Sequence, residues 1–287
     1  MRAAAFFVLT AALSLAALPA DAQEALPAVD GLSGKLMLSG GTGNGKDDSW
    51  AGLEGAVTFP LGHRFGMQLD LAGGGLDGPS DGKSAFYGGG AHLFWRDPSE
   101  GMVGIEASHA HLDDLGGVDL YSAGVEAERY LGALTVGGVM GVAGGSHASY
   151  STPRGRFRYD LETQFVAGPY VTWYPDDNVA LSASGAVAGD DVAAGIGIEF
   201  APAVRTSYQP SFFVRGSLRE GGEVAALAGI NIYFGQRAKT LIRRHREDDP
   251  AIGNLMSLGF KGGIGFSLGA IWKFRHHKDN PTQNPCC

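Results

Sequence analysis

From residue 33 onward the chain alternates apolar and polar positions with period two, segment after segment. Phe65, Met67, Leu69 and Leu71 interleave with Gly66, Gln68, Asp70 and Ala72. Successive side chains of a strand point to opposite faces, so this spacing predicts one apolar and one polar face. Ala51, Leu53, Gly55, Val57 and Phe59 likewise oppose Gly52, Glu54 and Thr58, while Val192, Ala194, Ile196, Ile198 and Phe200 oppose Ala193, Gly195, Gly197 and Glu199. Twelve such segments are predicted as strands: 33–41, 49–60, 65–74, 85–96, 102–111, 120–130, 133–144, 157–174, 178–188, 192–202, 211–218 and 224–234. Most have the ~9 to 11 residues that a tilted strand needs to cross a bilayer.

The connections alternate too. After even-numbered segments they are mostly short and rich in turn residues, as at 60–64, Asp97-Pro98-Ser99-Glu100-Gly101, Leu131-Gly132 and Pro175-Asp176-Asp177-Asn178. After odd-numbered segments several are longer and acidic or glycine-rich, as at 41–48, 75–83, 112–119 and 145–156. Short turns at one end and long loops at the other are the habit of transmembrane barrels. Phe59, Phe65, Phe94, Trp95, Tyr130, Trp173, Tyr174, Phe200, Phe212, Tyr233 and Phe234 all fall beside the short turns or at the final strand end. In a closed sheet they are expected to form one aromatic ring at one membrane interface. The fold class expected is all-β: a transmembrane antiparallel up-and-down barrel of about twelve strands.

The last of these segments reads Gly229-Ile-Asn-Ile232-Tyr-Phe234, similar to the closing strand by which outer-membrane barrels are recognised for assembly. Over residues 33–234 the chain resembles bacterial outer-membrane β-barrel proteins of the porin-like kind. The resemblance implies a place in the bacterial outer membrane. It also implies contact with outer-membrane lipid and lipopolysaccharide, recognition by the barrel-assembly machinery, and passage of small polar solutes. Such proteins usually end at that aromatic, whereas here about fifty residues follow. Ser267-Leu-Gly269-Ala-Ile-Trp272-Lys-Phe274 fits the closing pattern as well, leaving a fourteen-strand barrel open.

Composition agrees with an extended chain. Gly contributes 46 of 287 residues, without collagen periodicity, and lies inside the apolar segments, where it disfavours helix by about 1 kcal/mol per position relative to Ala. Arg2, an apolar run over 3–18 and Ala20-Asp21-Ala22 read as a signal peptide over 1–22. Beyond it no run of 18 uncharged apolar residues suggests a membrane helix. Both cysteines, Cys286 and Cys287, stand at the end of the chain, so zinc clusters, redox motifs and internal disulfides are not expected.

Charge is divided unevenly. Residues 23–234 hold 12 Lys and Arg against 25 Asp and Glu, a net of −13, while 235–287 hold 9 against 4, a net of +5. The run 241–250, Leu-Ile-Arg-Arg-His-Arg-Glu-Asp-Asp-Pro, cannot sit in lipid and is expected to be a solvated periplasmic tail, with binding to a cell-wall polymer or a partner as the other reading. On the inward parity lie Glu54, Asp70, Glu106, Glu126, Glu128 and Glu199, opposed by Arg215 and, if the long eighth strand keeps its register, by Arg154, Arg156 and Arg158, with Arg156 and Arg158 expected to face Glu126 and Glu128 across the curved wall. Small inward residues on strands seven, nine and ten, such as Gly137, Ser182, Ser184 and Gly195, leave room for water. These residues point to a narrow passive channel whose opposed charges select solutes. A closed structural or adhesion barrel, with the same charges neutralising one another, is the alternative. For the three arginines, lipopolysaccharide phosphate on the outer leaflet is a second competing partner.

Other chemistry has weaker support. His109 and His111 sit near a rim without a matching serine and orienting residue, so the chain is not expected to be an enzyme. Asp47-Asp48, Asp113-Asp114 and Asp190-Asp191 lack calcium-loop spacing, and Gly40 to Gly45 leads to Lys46-Asp47 rather than a phosphate-binding Lys-Ser/Thr. No catalytic, cofactor or metal site is assigned, and no nucleic-acid partner is expected.

Overall fold

A computed structural model describes residues 26–43, 49–77, 83–113, 117–152, 155–160, 162–189, 191–203 and 206–249. The expected signal peptide, the alternating segment 257–274, Asp47, Asp48, Asp114, Arg154, Asp190 and the two cysteines lie outside them.

Among the described residues fourteen strands follow one another: β1 Ser33–Gly43, β2 Ser49–Pro60, β3 Phe65–Asp77, β4 Lys83–Asp97, β5 Gly101–Leu112, β6 Val118–Leu131, β7 Leu134–Gly145, β8 His147–Thr152, β9 Gly155–Asp160, β10 Gln164–Asp176, β11 Val179–Ala188, β12 Asp191–Phe200, β13 Tyr208–Arg219 and β14 Glu223–Phe234. Twelve close into an antiparallel barrel in which β14 pairs with β1, and β8 and β9 form a separate hairpin sheet inserted between β7 and β10. Closure satisfies every edge of the wall, the condition for a sheet in lipid. Because Gly34 pairs with Phe234 and Gly43 with Ala225, the barrel is complete at twelve strands without residues 257–274.

The long eighth strand expected at 157–174 is corrected. Its barrel portion begins only at Gln164, which pairs with Ala143 of β7, while 155–160 folds back on β8, with Arg156 opposite Ser151 and Arg158 opposite Ser149. Both halves alternate, so periodicity alone could not show that the chain leaves the wall between them.

Alternation turns the apolar parity outward. Leu71 is 72% and Ile196 70% exposed, and Leu38, Leu53, Ile105, Val125, Val214 and Ile232 continue the belt. A contiguous apolar surface of this extent demands a lipid environment. The inner face carries Glu54, Gln68, Asp70, His92, Glu106, Glu126 and Glu199, all buried. At the tight β6–β7 turn Gly132 adopts φ +57°, a left-handed conformation that glycine takes without a Cβ penalty.

The aromatic ring is also corrected. Phe65, Trp173, Phe200 and Phe212 face outward at the short-turn end, but Phe94, Tyr130, Tyr174 and Tyr233 are buried inside. Adjacent aromatics such as Trp173 and Tyr174 have opposite parity, so one joins the lipid belt and the other lines the mouth.

Candidate functional site

At the short-turn end the mouth is filled by the chain itself. After β14 the backbone turns inward into one α-helical turn, α1 (Leu241–Arg243), which widens into a π-type turn over Arg244–Asp248. The Ile242 amide donates to the Asp177 carbonyl at 3.0 Å, tying this segment to the β10–β11 turn. Leu241 is fully buried among Tyr174, Ala180, Ala201 and Tyr233, a contribution of about 1.5 to 3 kcal/mol. The solvated tail expected for this run is therefore not what residues 239–249 form. Arg244 is 0% exposed; it donates to Asp248 at 2.8 Å and to the carbonyls of Ser207 and Arg237 at 2.9 and 3.0 Å. Lys239 pairs with Asp248, with Glu247 at 3.1 Å and with Asp30 at 3.0 Å, joining the tail to the segment before β1. Burial raises the Asp248 carboxyl above its ordinary value, against the pull of Lys239 and Arg244. Charges can be buried here because each finds a partner.

The plug touches the wall through basic side chains. Arg246 donates to the Thr135 hydroxyl at 3.1 Å and to the Leu134 carbonyl at 2.8 Å, and its guanidinium stands 4.9 Å from the ring centre of Tyr130 and 5.5 Å from that of Tyr174. His245 is hydrogen-bonded to the hydroxyls of Tyr174 at 2.9 Å and Tyr233 at 3.0 Å, and lies 3.6 Å from Glu199. Asp249 pairs with Lys35 of β1.

Above the plug the predicted lumen residues of the wall fall into four groups. Glu199 accepts hydrogen bonds from Ser211 at 2.6 Å, Asn231 at 2.9 Å and Tyr233 at 3.0 Å. Glu128 accepts from Tyr130 at 2.9 Å and from Tyr170. On the β3–β6 side His92 gathers Asp70, Glu126 and Glu106, at 2.8, 3.2 and 3.9 Å. Glu54 and Arg215 line a cavity of about 60 Å³ together with Lys35, Glu199, Ser182 and Asp249, room for a few waters at ~10 to 15 Å³ each. Arg215 also stacks over Phe213, 4.4 Å from the ring centre.

Arg156 and Arg158 are placed on β9, outside the barrel wall, and their side chains are outside the described residues. The expected pairing of these arginines with Glu126 and Glu128 gives way to partners from the wall itself: His92 holds Glu126, and the two tyrosines hold Glu128. At the opposite, long-loop end His111 bonds Asp119 at 2.9 Å and His109 lies 3.3 Å from the same carboxylate.

The sequence reading missed His92, Lys35, Tyr170 and the whole plug. The signal for His92 is present, since it shares the inward parity of Glu106 and Glu126, but parity alone does not say which inward residues meet. Lys35 has the parity of Met37 and was equally legible. The plug had no local signal, because its burial depends on a mouth assembled from five other turns.

No protein-family model and no curated protein matches the sequence. Among solved structures, an outer membrane channel from Pseudomonas putida F1 is similar in fold, with TM-score 0.54 and 13% identity over 76% of this chain and 99% of that one. The KdgM porin in complex with disordered oligogalacturonate gives TM-score 0.47 at 8% identity, over 71% of this chain and 99% of the porin. The translocator domain of the autotransporter NalP from Neisseria meningitidis gives 0.46 at 11%, over 71% and 88%. A closed twelve-stranded antiparallel barrel with an outward apolar belt is the fold that this chain shares with outer-membrane β-barrel channels.

Proposed function

We propose that the barrel is a narrow passive channel for small polar solutes, with the short-turn mouth in the periplasm and occupied by residues 239–249. The observation that carries this reading is the polar cavity between Lys35, Glu54, Glu199 and Arg215, walled on one side by the small residues Ala180, Ser182 and Ser184. Side chains of that size cannot fill a twelve-stranded lumen, and water takes the remainder. Opposed charges across such a passage orient and select solutes. The solved channel from Pseudomonas putida shares the fold. Passage of this kind needs no catalytic group. Outer-membrane lipid would cover the belt, lipopolysaccharide would meet the long loops, and the assembly machinery would read the closing strand at Gly229–Phe234.

A closed structural barrel is favoured by a different observation: the plug seals the mouth with partnered charges. Reconstitution in a planar bilayer separates the two. Reproducible conductance steps are expected for the channel; their absence across a range of voltages establishes the closed barrel.

A further inference from the structure

We propose that His92, Glu106 and Glu126 bind a single divalent transition-metal cation of the zinc class inside the barrel, with Asp70 as the residue that positions the histidine ring. The site is independent of whether the lumen conducts.

Sheet register brings the residues together. His92 of β4 lies directly opposite Glu106 of β5 and Gln68 of β3, and Glu126 of β6 stands opposite Gly104, two residues along β5. All four side chains have inward parity. One ligand atom from each of His92, Glu106 and Glu126 falls within 4.8 Å of the others. His92 Nδ1 is 3.2 Å from both Glu126 oxygens and 3.9 Å from Glu106 Oε2. Ligands on a tetrahedral ion with bonds of ~2.0 to 2.2 Å are about 3.3 Å apart, so small side-chain shifts place all three on one ion.

The surroundings fix which imidazole nitrogen faces the carboxylates. Thr58 donates to the Gln68 carbonyl oxygen at 3.0 Å, and the Gln68 amide nitrogen donates to Asp70 Oδ1 at 2.9 Å. Asp70 Oδ2 lies 2.8 Å from His92 Nε2 and can only accept from it. The proton of a neutral His92 is therefore on Nε2, and the Nδ1 lone pair points at two buried carboxylates. A neutral ring so placed leaves its lone pair facing two carboxylates, and a cation held between them relieves that repulsion. Carboxylate, histidine and metal in this order are a recurring device for orienting a ligand ring and raising its basicity.

A second observation points the same way. Glu106 is about nineteen-twentieths buried in its side chain, and its Oε2, the oxygen nearest His92 Nδ1, accepts no hydrogen bond among the described residues. An unbonded buried carboxylate oxygen is costly. Gly104 gives the third ligand its space, since a Cβ there would lie 2.7 Å from Glu126 Oε1. The nearby Arg96 is committed elsewhere, over the Phe94 ring at 4.5 Å and toward the Ala28 carbonyl at 3.4 Å. One imidazole nitrogen with two carboxylates selects a first-row ion such as zinc over magnesium or calcium, which prefer oxygen alone.

The test uses the full-length protein in detergent, stripped with a chelator and titrated with zinc chloride at neutral pH. Bound metal is counted after gel filtration, and heat-modifiable migration checks folding. The wild type should hold one equivalent more than E106Q, and D70N should weaken that equivalent about 10- to 100-fold. X-ray absorption of the wild type at one equivalent, which needs no variant, should show one histidine nitrogen with oxygen neighbours. Equal stoichiometry in wild type and folded E106Q would overturn the site and leave a protonated His92 as the cation. So would a spectrum dominated by sulfur or several histidines, since that metal would be elsewhere.

Discussion

The Tyr170 hydroxyl donates a hydrogen bond to Glu128 across a strand that separates the two residues. Glu128 pairs with Gly137 on one side and Tyr170 pairs with Gly137 on the other, so all three stand in one row of the wall. Gly137 has no side chain, and the tyrosine ring lies over it. A Cβ at 137 would meet the Tyr170 ring and hydroxyl at 2.7 Å and the Ala127 carbonyl at 2.8 Å.

Gly137→Ala is therefore expected to displace the ring and destabilise the barrel by about 1 to 3 kcal/mol, the usual range for overpacking. Tyr170→Phe should destabilise by a similar ~1 to 3 kcal/mol, because Glu128 loses a buried donor. Urea unfolding of the detergent-folded protein measures both. Wild-type stability in both variants would show that the row does not act as a unit.

His245 and Arg246 are two of the side chains that hold the plug to the wall, and their loss should loosen it. His245→Ala with Arg246→Ala removes the contacts to Tyr174, Tyr233, Thr135 and the Leu134 carbonyl. In planar bilayers this double variant should show larger or longer-lived conductance steps than the wild type while migrating as a folded barrel. Identical traces would mean that residues 239–249 do not obstruct the passage.

Arg215 gives the cavity part of its positive charge. Replacing it with Gln should move the reversal potential in a salt gradient toward cation selectivity, because the wall that remains is dominated by carboxylates. An unchanged reversal potential would place the ion path away from this cavity.

Arg156 and Arg158 belong to the β8–β9 hairpin, which among the described residues forms a sheet separate from the barrel. Changing both to Gln is expected to leave barrel stability within about 1 kcal/mol of wild type and ion selectivity unaltered, while weakening retention on lipopolysaccharide. A selectivity shift would bring the hairpin into the lumen.

The wall follows from local pattern. Strand alternation is a property of neighbouring residues, so β2 is predicted at its observed limits, 49–60, and on the parity opposite the lipid belt Glu54, Asp70, Glu106, Glu126, Glu128 and Glu199 are buried while Arg215 is half-buried. Parity also contained the division of Trp173 from Tyr174, although a reading by position along the barrel axis merged them. Which inward residues meet depends on how the strands are aligned against one another. Asp70, His92, Glu106 and Glu126 are spread over four strands, and their contact depends on the register of three hairpins, each set by its turn. The hairpin at 147–160 and the plug at 239–249 depend on still longer connections. Their alternation and charge are local, but whether a strand joins the wall, or a charge run finds buried partners, is settled by closure of the barrel around them.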